Sequence, residues 1–352
     1  MSFPQIMANV PLFAGFEPRE LDDFLGIFRR VSFAAGAVIV RQGQPADSAF
    51  VLESGTVEVI TALPGGGQAV IAELGPGSVL GEMALLDSGA RSATAIARAP
   101  TAAYVVERED FRMLLAQRNP AVFKVQRRIT LMLCRRLREL NARIIASGVP
   151  GNSALPVITP KQKPALRRTQ CTFDYRAFLP ILPPLRRFKP ADIDGLLALA
   201  TVFDMPRGAT IFHERESASS CYLVVRGAIE IVAAENERLR RIGVLGPGRL
   251  CGILALIEGE PRSMTALLRE DSTLLELSRD AFERIYDEHT HLAARFHDLV
   301  NWELLQALSR TNNHLTRLIS QAQIRDRSAR DAAKVDVEDL QRALGAQDCR
   351  AA

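Results

Sequence analysis

The chain is short of lysine, histidine and cysteine, and each shortage closes a line of interpretation. Of its 44 basic residues only five are lysine, so the mild net charge of +4 rests almost wholly on arginine. Those arginines are dispersed, which argues against a nucleic-acid footprint. The densest basic run, "RRLREL" at 135–140, falls in a helical pattern and reads as a solvated face. Five cysteines (Cys134, Cys171, Cys221, Cys251, Cys349) contain no CxxC pair, so metal-ligand and redox spacings are absent. A disulfide framework does not suit so large a chain. The five histidines form no metal cluster in the sequence. No apolar run reaches the roughly 18 residues that span a bilayer. The opening "MSFPQIMANVPLF" lacks the basic region and sustained apolar core of a signal peptide, so a cytoplasmic protein is expected. A kinase glycine loop with its lysine and a P-loop are both missing. The expectation is a chain that is not an enzyme, with no catalytic residue, no metal site and no cofactor.

What the chain does have is a repeat. Its 352 residues, 47% hydrophobic and 24% charged, suffice for two domains of ordinary size. "VSFAAGAVIVRQGQPADSAFVLESGTVEVI" from Val31 returns as "FDMPRGATIFHERESASSCYLVVRGAIEIV" from Phe203. "LGPGSVLGEMALL" returns as "LGPGRLCGILALI", and Leu137 and Asn141 align with Leu308 and Asn312. Within each copy the runs are short and β-rich, punctuated by Gly, Pro and Asp turns, as in a barrel or jelly roll. Gly36, Gly43, Gly55 and Gly75 are expected at tight turns with positive φ. Helical patterns flank the first β part at "EPRELDDFLGIFRR" and "EDFRMLLAQRN". A longer helix follows over about 120–146, with one apolar stripe through Val122, Val125, Ile129, Leu133, Leu137, Leu140 and Ile144. The second copy has its counterpart over about 288–320. The division expected is a first domain over 10–146, a Pro/Gly/Ser-marked linker over 147–172, a second domain over 173–322 and a polar tail over 323–352.

One stretch carries chemistry. "GPGSVLGEMALL" reads as a turn opening a short helix whose N–H groups favour an anion. Arg91, nine residues after Glu82, supplies a planar charged fork suited to phosphate oxygens. Glu82 can accept a hydrogen bond from a sugar hydroxyl. An anion hook beside a hydroxyl hook suits a small ribose phosphate. An Arg91–Glu82 ion pair that merely holds the loop is the other reading of the same residues.

The layout "GEMALL", then "ARSATA", "FRMLLAQRNP" and an "RRL" helix resembles the cyclic nucleotide-binding domain family, which includes catabolite activator protein and the regulatory subunits of cAMP-dependent protein kinase. The resemblance covers about 10–146 and 175–320. It implies a mainly β fold with flanking helices: two tandem jelly-roll β-barrels, each followed by a long C-terminal helix. It implies a 3′,5′-cyclic mononucleotide, cAMP or cGMP, as ligand. Gly81, Glu82, Met83, Ala84, Arg91, Ser92 and Ala93 would form the cassette, with Glu82 on the ribose 2′-hydroxyl and Arg91 on the cyclic phosphate. Asn141 falls where the family's long helix meets the base. The second copy keeps Arg262 and Ser263 but has Ile253 in place of the glutamate, so it reads as a degenerate site. Family members that activate transcription carry a winged helix-turn-helix, and the last 30 or so polar residues show none, so no DNA-binding domain is expected. The readings are a sensor acting on an unidentified protein partner, a ligand-independent scaffold, or an atypical transcription regulator. The two long helices are expected to pair within the chain as a pseudo-dimer, or between chains as a homodimer.

Overall fold

A computed structural model describes residues 10–13, 15–17, 24–62, 67–146, 173–235, 238–288, 290–315 and 317. The linker (147–172) and the tail (323–352) lie outside these residues. The first copy runs β1 (Phe28–Phe33), β2 (Val38–Val40), β3 (Ser48–Ser54), β4 (Val57–Ala62), β5 (Gln68–Leu74) and β6 (Val79–Leu80). Then come α1 (Met83–Leu86), β7 (Thr94–Ala97), β8 (Thr101–Glu107), α2 (Arg108–Ala116) and the long α3 (Pro120–Ala146). The second copy opens on α4 (Tyr175–Phe178) and α5 (Pro190–Leu199), then β9 (Thr201–Met205), β10 (Thr210–Phe212), β11 (Ser220–Arg226), β12 (Ile229–Glu235), β13 (Arg238–Leu245) and β14 (Leu250–Cys251). It closes on α6 (Ile253–Glu258), β15 (Thr265–Leu268), β16 (Ser272–Ser278), α7 (Arg279–Asp287) and a long helix α8 over 291–315.

Each copy has two antiparallel four-stranded sheets. The first pair is ordered β1-β8-β3-β6 and β2-β7-β4-β5, and the second pair repeats that order eight strands on. This nesting of strand partners is a jelly roll, in which closure leaves few exposed edges. Alternation along the strands explains why the inner ones are buried on both faces. In β3, Phe50 and Leu52 point into the barrel core, whereas Ala49 and Val51 point out against the helices. In β11, Tyr222 and Val224 point in, and Cys221, Leu223 and Val225 point out.

Two expectations need correction. The "EPRELDDFLGIFRR" pattern does not stay helical to its end: Phe28 already pairs with Val106 in β1, and Phe28 packs edge-on against Phe24. Its arginines are held across the sheet, Arg29 by Glu107 and Arg30 by Glu53, a period-2 pattern that overrides the helical spacing. In the Gly-Pro-Gly turn, Gly77 rather than Gly75 takes the positive φ, as the residue after a turn proline does in a type II turn. Gly36, Gly43 and Gly55 have positive φ as expected.

The third core spans both copies. It joins Val125, Ile129, Leu133 and Leu137 of α3 to Leu299, Val300, Leu304 and Leu308 of α8, and to Ile253 and Leu256 of α6. Thr130 Oγ1 donates to Asn301 Oδ1 at 2.8 Å, and Thr311 Oγ1 lies 3.5 Å from Asn141 Oδ1. The contacts advance in the same direction along both helices, so α3 and α8 run parallel. Thr130 and Asn301 are 171 residues apart, the offset of the repeat itself, so each long helix meets its own counterpart. The "RRLREL" run is therefore more than a solvated face: Arg138 Nε donates to Glu258 Oε2 at 2.9 Å, across to the second copy. Among the described residues no helix is long and apolar enough to cross a membrane.

Candidate functional site

The first copy's site is built where β6 turns into α1. Gly81 adopts φ +80°, a left-handed conformation that favours glycine, and a Cβ there would lie 2.5 Å from Arg91 Nη1. The glycine thus lets the arginine lie flat under the loop. Arg91 is buried, 8% exposed. Its Nη1 donates to the Ser48 carbonyl at 2.7 Å, and its Nη2 to Ser48 Oγ at 3.0 Å and to Asp47 Oδ1 at 3.3 Å. Burial draws its pKa below the ordinary value, and Asp47 works against that. A guanidinium stays charged through such a shift. The Arg91–Glu82 ion pair entertained from the sequence does not form. Glu82 sits at the N-cap position of α1, and its carboxylate lies 3.9 Å from Arg136 of α3. Loop and long helix are thus linked by charge.

The other expected residues have divided roles. Met83 packs on the shared helical core, and Ala84 is buried, its N–H donating to the Gly81 carbonyl at 3.0 Å. Ala93 belongs to the barrel core, so its methyl is structural, and Ser92 is exposed beside Arg91. Asn141 is the clearest departure. Instead of facing the first barrel it lines a cavity of about 190 Å3 in the second. The stripe on α3 crosses the seam, so a residue following Leu140 faces the other copy. Three contributors went unread in the sequence: Asp47, Ser48 and Arg136. Asp47 and Ser48 lie more than 40 residues before Arg91 and reach it only through strand pairing; no local spacing reveals that.

The second copy repeats the frame with different chemistry. Gly252 has φ +85°, and a Cβ there would meet Arg262 Nη1 at 2.5 Å. Arg262, 4% exposed, donates from Nη1 to the Gly252 carbonyl at 2.7 Å and from Nη2 to the Ser220 carbonyl at 2.5 Å. Its guanidinium lies 4.1 Å from the centre of the Phe212 ring. Ser263, with Arg262, lines the cavity. Among the described residues no cluster of three or more metal-ligating side chains occurs, and Cys134, Cys221 and Cys251 are buried free thiols. Burial pushes the Cys221 thiol up to about 12, so it carries no charge at neutral pH.

The model of the cyclic nucleotide-binding domain matches twice, over residues 30–118 and 202–289, half of the chain in all. The chain belongs to the cyclic nucleotide-binding domain family. A cyclic AMP receptor protein of Thermus thermophilus is 38% identical over 133 residues, which are 38% of this chain and 60% of that protein. A cAMP-dependent protein kinase regulatory subunit of Blastocladiella emersonii is 22% identical over 280 residues, 79% of this chain and 57% of its own length. The chain thus spans less than two thirds of either relative. Among solved structures, a cyclic nucleotide-binding domain from Methylobacillus flagellatus is 28% identical, with 42% of this chain and 84% of that chain covered at a TM-score of 0.38. Both cyclic nucleotide-binding domains of the present chain keep the glycine and the arginine of the site, and only the first keeps the glutamate.

Proposed function

We propose that the chain is a cyclic nucleotide receptor in which the first domain takes a 3′,5′-cyclic mononucleotide, cAMP or cGMP. Arg91 holds the cyclic phosphate and Glu82 accepts from the ribose 2′-hydroxyl. The observation that carries this reading is that the two side chains do not neutralise each other. Arg91 is anchored from below by Ser48 and Asp47, and Glu82 is approached from the side by Arg136. Both therefore remain available to one ligand above Gly81. A phosphate arriving at Arg91 offers the guanidinium a second anion beside Asp47, whose side chain is 68% exposed and free to give way to water. At the same moment the ligand competes with Arg136 for Glu82, and Arg136 belongs to α3.

That competition is the route of signalling. A ligand shifts a conformational equilibrium only by its differential affinity for the two states. Releasing Arg136 alters what holds α3 to the first barrel, and α3 is packed along α8. The readout is a change of the α3–α8 pair toward a protein partner, with no catalytic step. Calorimetry of the purified chain with cAMP and cGMP tests the reading. One site per chain is expected for at least one of them, and absence of heat with either at millimolar concentration, together with no thermal shift, overturns it in favour of a ligand-independent scaffold.

A further inference from the structure

Among the described residues Arg262 is a buried cation that no carboxylate pairs. The alignment of the copies shows how that came about. Asp47, which reaches Arg91, has Ser219 as its counterpart, and Glu82 has Ile253. Both carboxylates of the first site are thus missing from the second. Among the described residues Arg262 makes no ion pair, and its Nε–H is buried with no hydrogen-bond partner. Other charged groups nearby are already engaged. Glu303, in the cavity wall, is taken by Arg249 at 2.6 and 2.5 Å and by the Leu250 N–H. Glu216 acts on Arg262 at longer range, and its Oε2 accepts from the His213 N–H. Cys221 and Cys251 are neutral thiols. A buried charge that lacks a partner is costly, and proteins as a rule pair it or neutralise it.

Arg262 lines the 190 Å3 cavity, whose walls are mostly apolar: Ile231, Leu245, Ile253, Met264, Leu304 and Ala307 among them. An apolar cavity of roughly 150 Å3 accommodates a benzene ring. A ribose would put its 2′-hydroxyl against Ile253, which cannot accept a hydrogen bond, a loss of about ten- to a hundredfold relative to the first domain. We propose that the second domain binds a small organic carboxylate with a compact apolar body, its carboxylate on Arg262 and its body among these aliphatic side chains. Leu137, Asn141 and Ile144 of α3 line the same cavity. The occupant therefore touches the long helix of the first domain as well as its own barrel.

The test is ligand-observed NMR and calorimetry on the full chain with 3-phenylpropionate, its neutral match 3-phenylpropanol, and phenyl phosphate. The acid should bind at one site per chain, about thirtyfold or more tighter than the alcohol. This comparison needs no variant. Ile253→Glu places a carboxylate beside Arg262 and should abolish acid binding, and Ala307→Phe should do so by filling the cavity. Arg91→Ala should leave acid binding unchanged, so the outcome is independent of whether the first domain takes a nucleotide. Equal affinity for acid and alcohol, or acid binding that survives both second-domain variants, overturns the proposal. So does tighter binding of phenyl phosphate than of the carboxylate, or a cAMP site that depends on Arg262.

Discussion

The two domains share one strand order and differ sharply in charge. Each has a left-handed glycine over a buried arginine, fixed to a β-strand carbonyl. Around Arg91 stand Asp47 and, across the loop, Glu82 with Arg136. Around Arg262 stand Phe212, Ile253 and neutral thiols. The frame that buries the cation is thus separable from the groups that choose its anion. Three charged residues of the first site, Asp47, Glu82 and Arg136, stand against Ser219, Ile253 and Ala307 of the second, and the strand order of the jelly roll is the same in both.

The comparison can be broken most severely at the seam on which both domains depend. Leu137→Asp would bury a carboxylate in the shared core, where Leu137 is 4% exposed. A loss of about 4 kcal/mol is expected from the removed side chain and the stranded charge. Chemical denaturation measures it, and small-angle scattering should show a less compact chain. A mutant as stable and as compact as wild type would show that the helices are not the joint. Next comes the pair Arg91→Ala and Arg262→Ala. The first should weaken cyclic nucleotide binding about a hundredfold or more, the second not at all. Equal losses in calorimetry would mean that the domains share the ligand.

A finer cut writes the second copy into the first. Glu82→Ile removes the hydroxyl acceptor, and about ten- to a hundredfold in affinity should go with it. A 2′-deoxy nucleotide should then bind wild type and variant alike; if it still discriminates, Glu82 has another role. The smallest effect is expected at Thr130. Thr130→Val leaves Asn301 Oδ1 buried without that donor and should cost about 1–2 kcal/mol, while Thr130→Val with Asn301→Leu should recover most of it. Thermal unfolding distinguishes the two, and additive losses would deny the coupling.

How much of this could be read in the sequence follows from which contacts are local. The jelly roll, the long helix over 120–146 and the Gly81–Arg91 cassette show themselves through period, turn residues and repetition, all properties of neighbouring residues. Asp47 and Arg136 do not, because strand pairing and helix docking bring them in from far along the chain. That Asn141 lines the second domain's cavity is not legible either, because a helical stripe says which face is buried and nothing of which neighbour buries it. The end of the helical pattern before Phe28 was hidden for a similar reason: β8 decides it.

The contact between Thr130 and Asn301 has a consequence for how such a chain can change over time. In an assembly of two identical chains, a position on the symmetry axis faces a copy of itself, so a side chain meets the same side chain. Here a hydroxyl faces an amide, a match open only to halves that are encoded separately. Joined in one polypeptide, the halves meet at a ratio fixed by the gene and independent of concentration. Each side of the seam, and each barrel beyond it, is then free to drift toward its own chemistry while the other holds the shape.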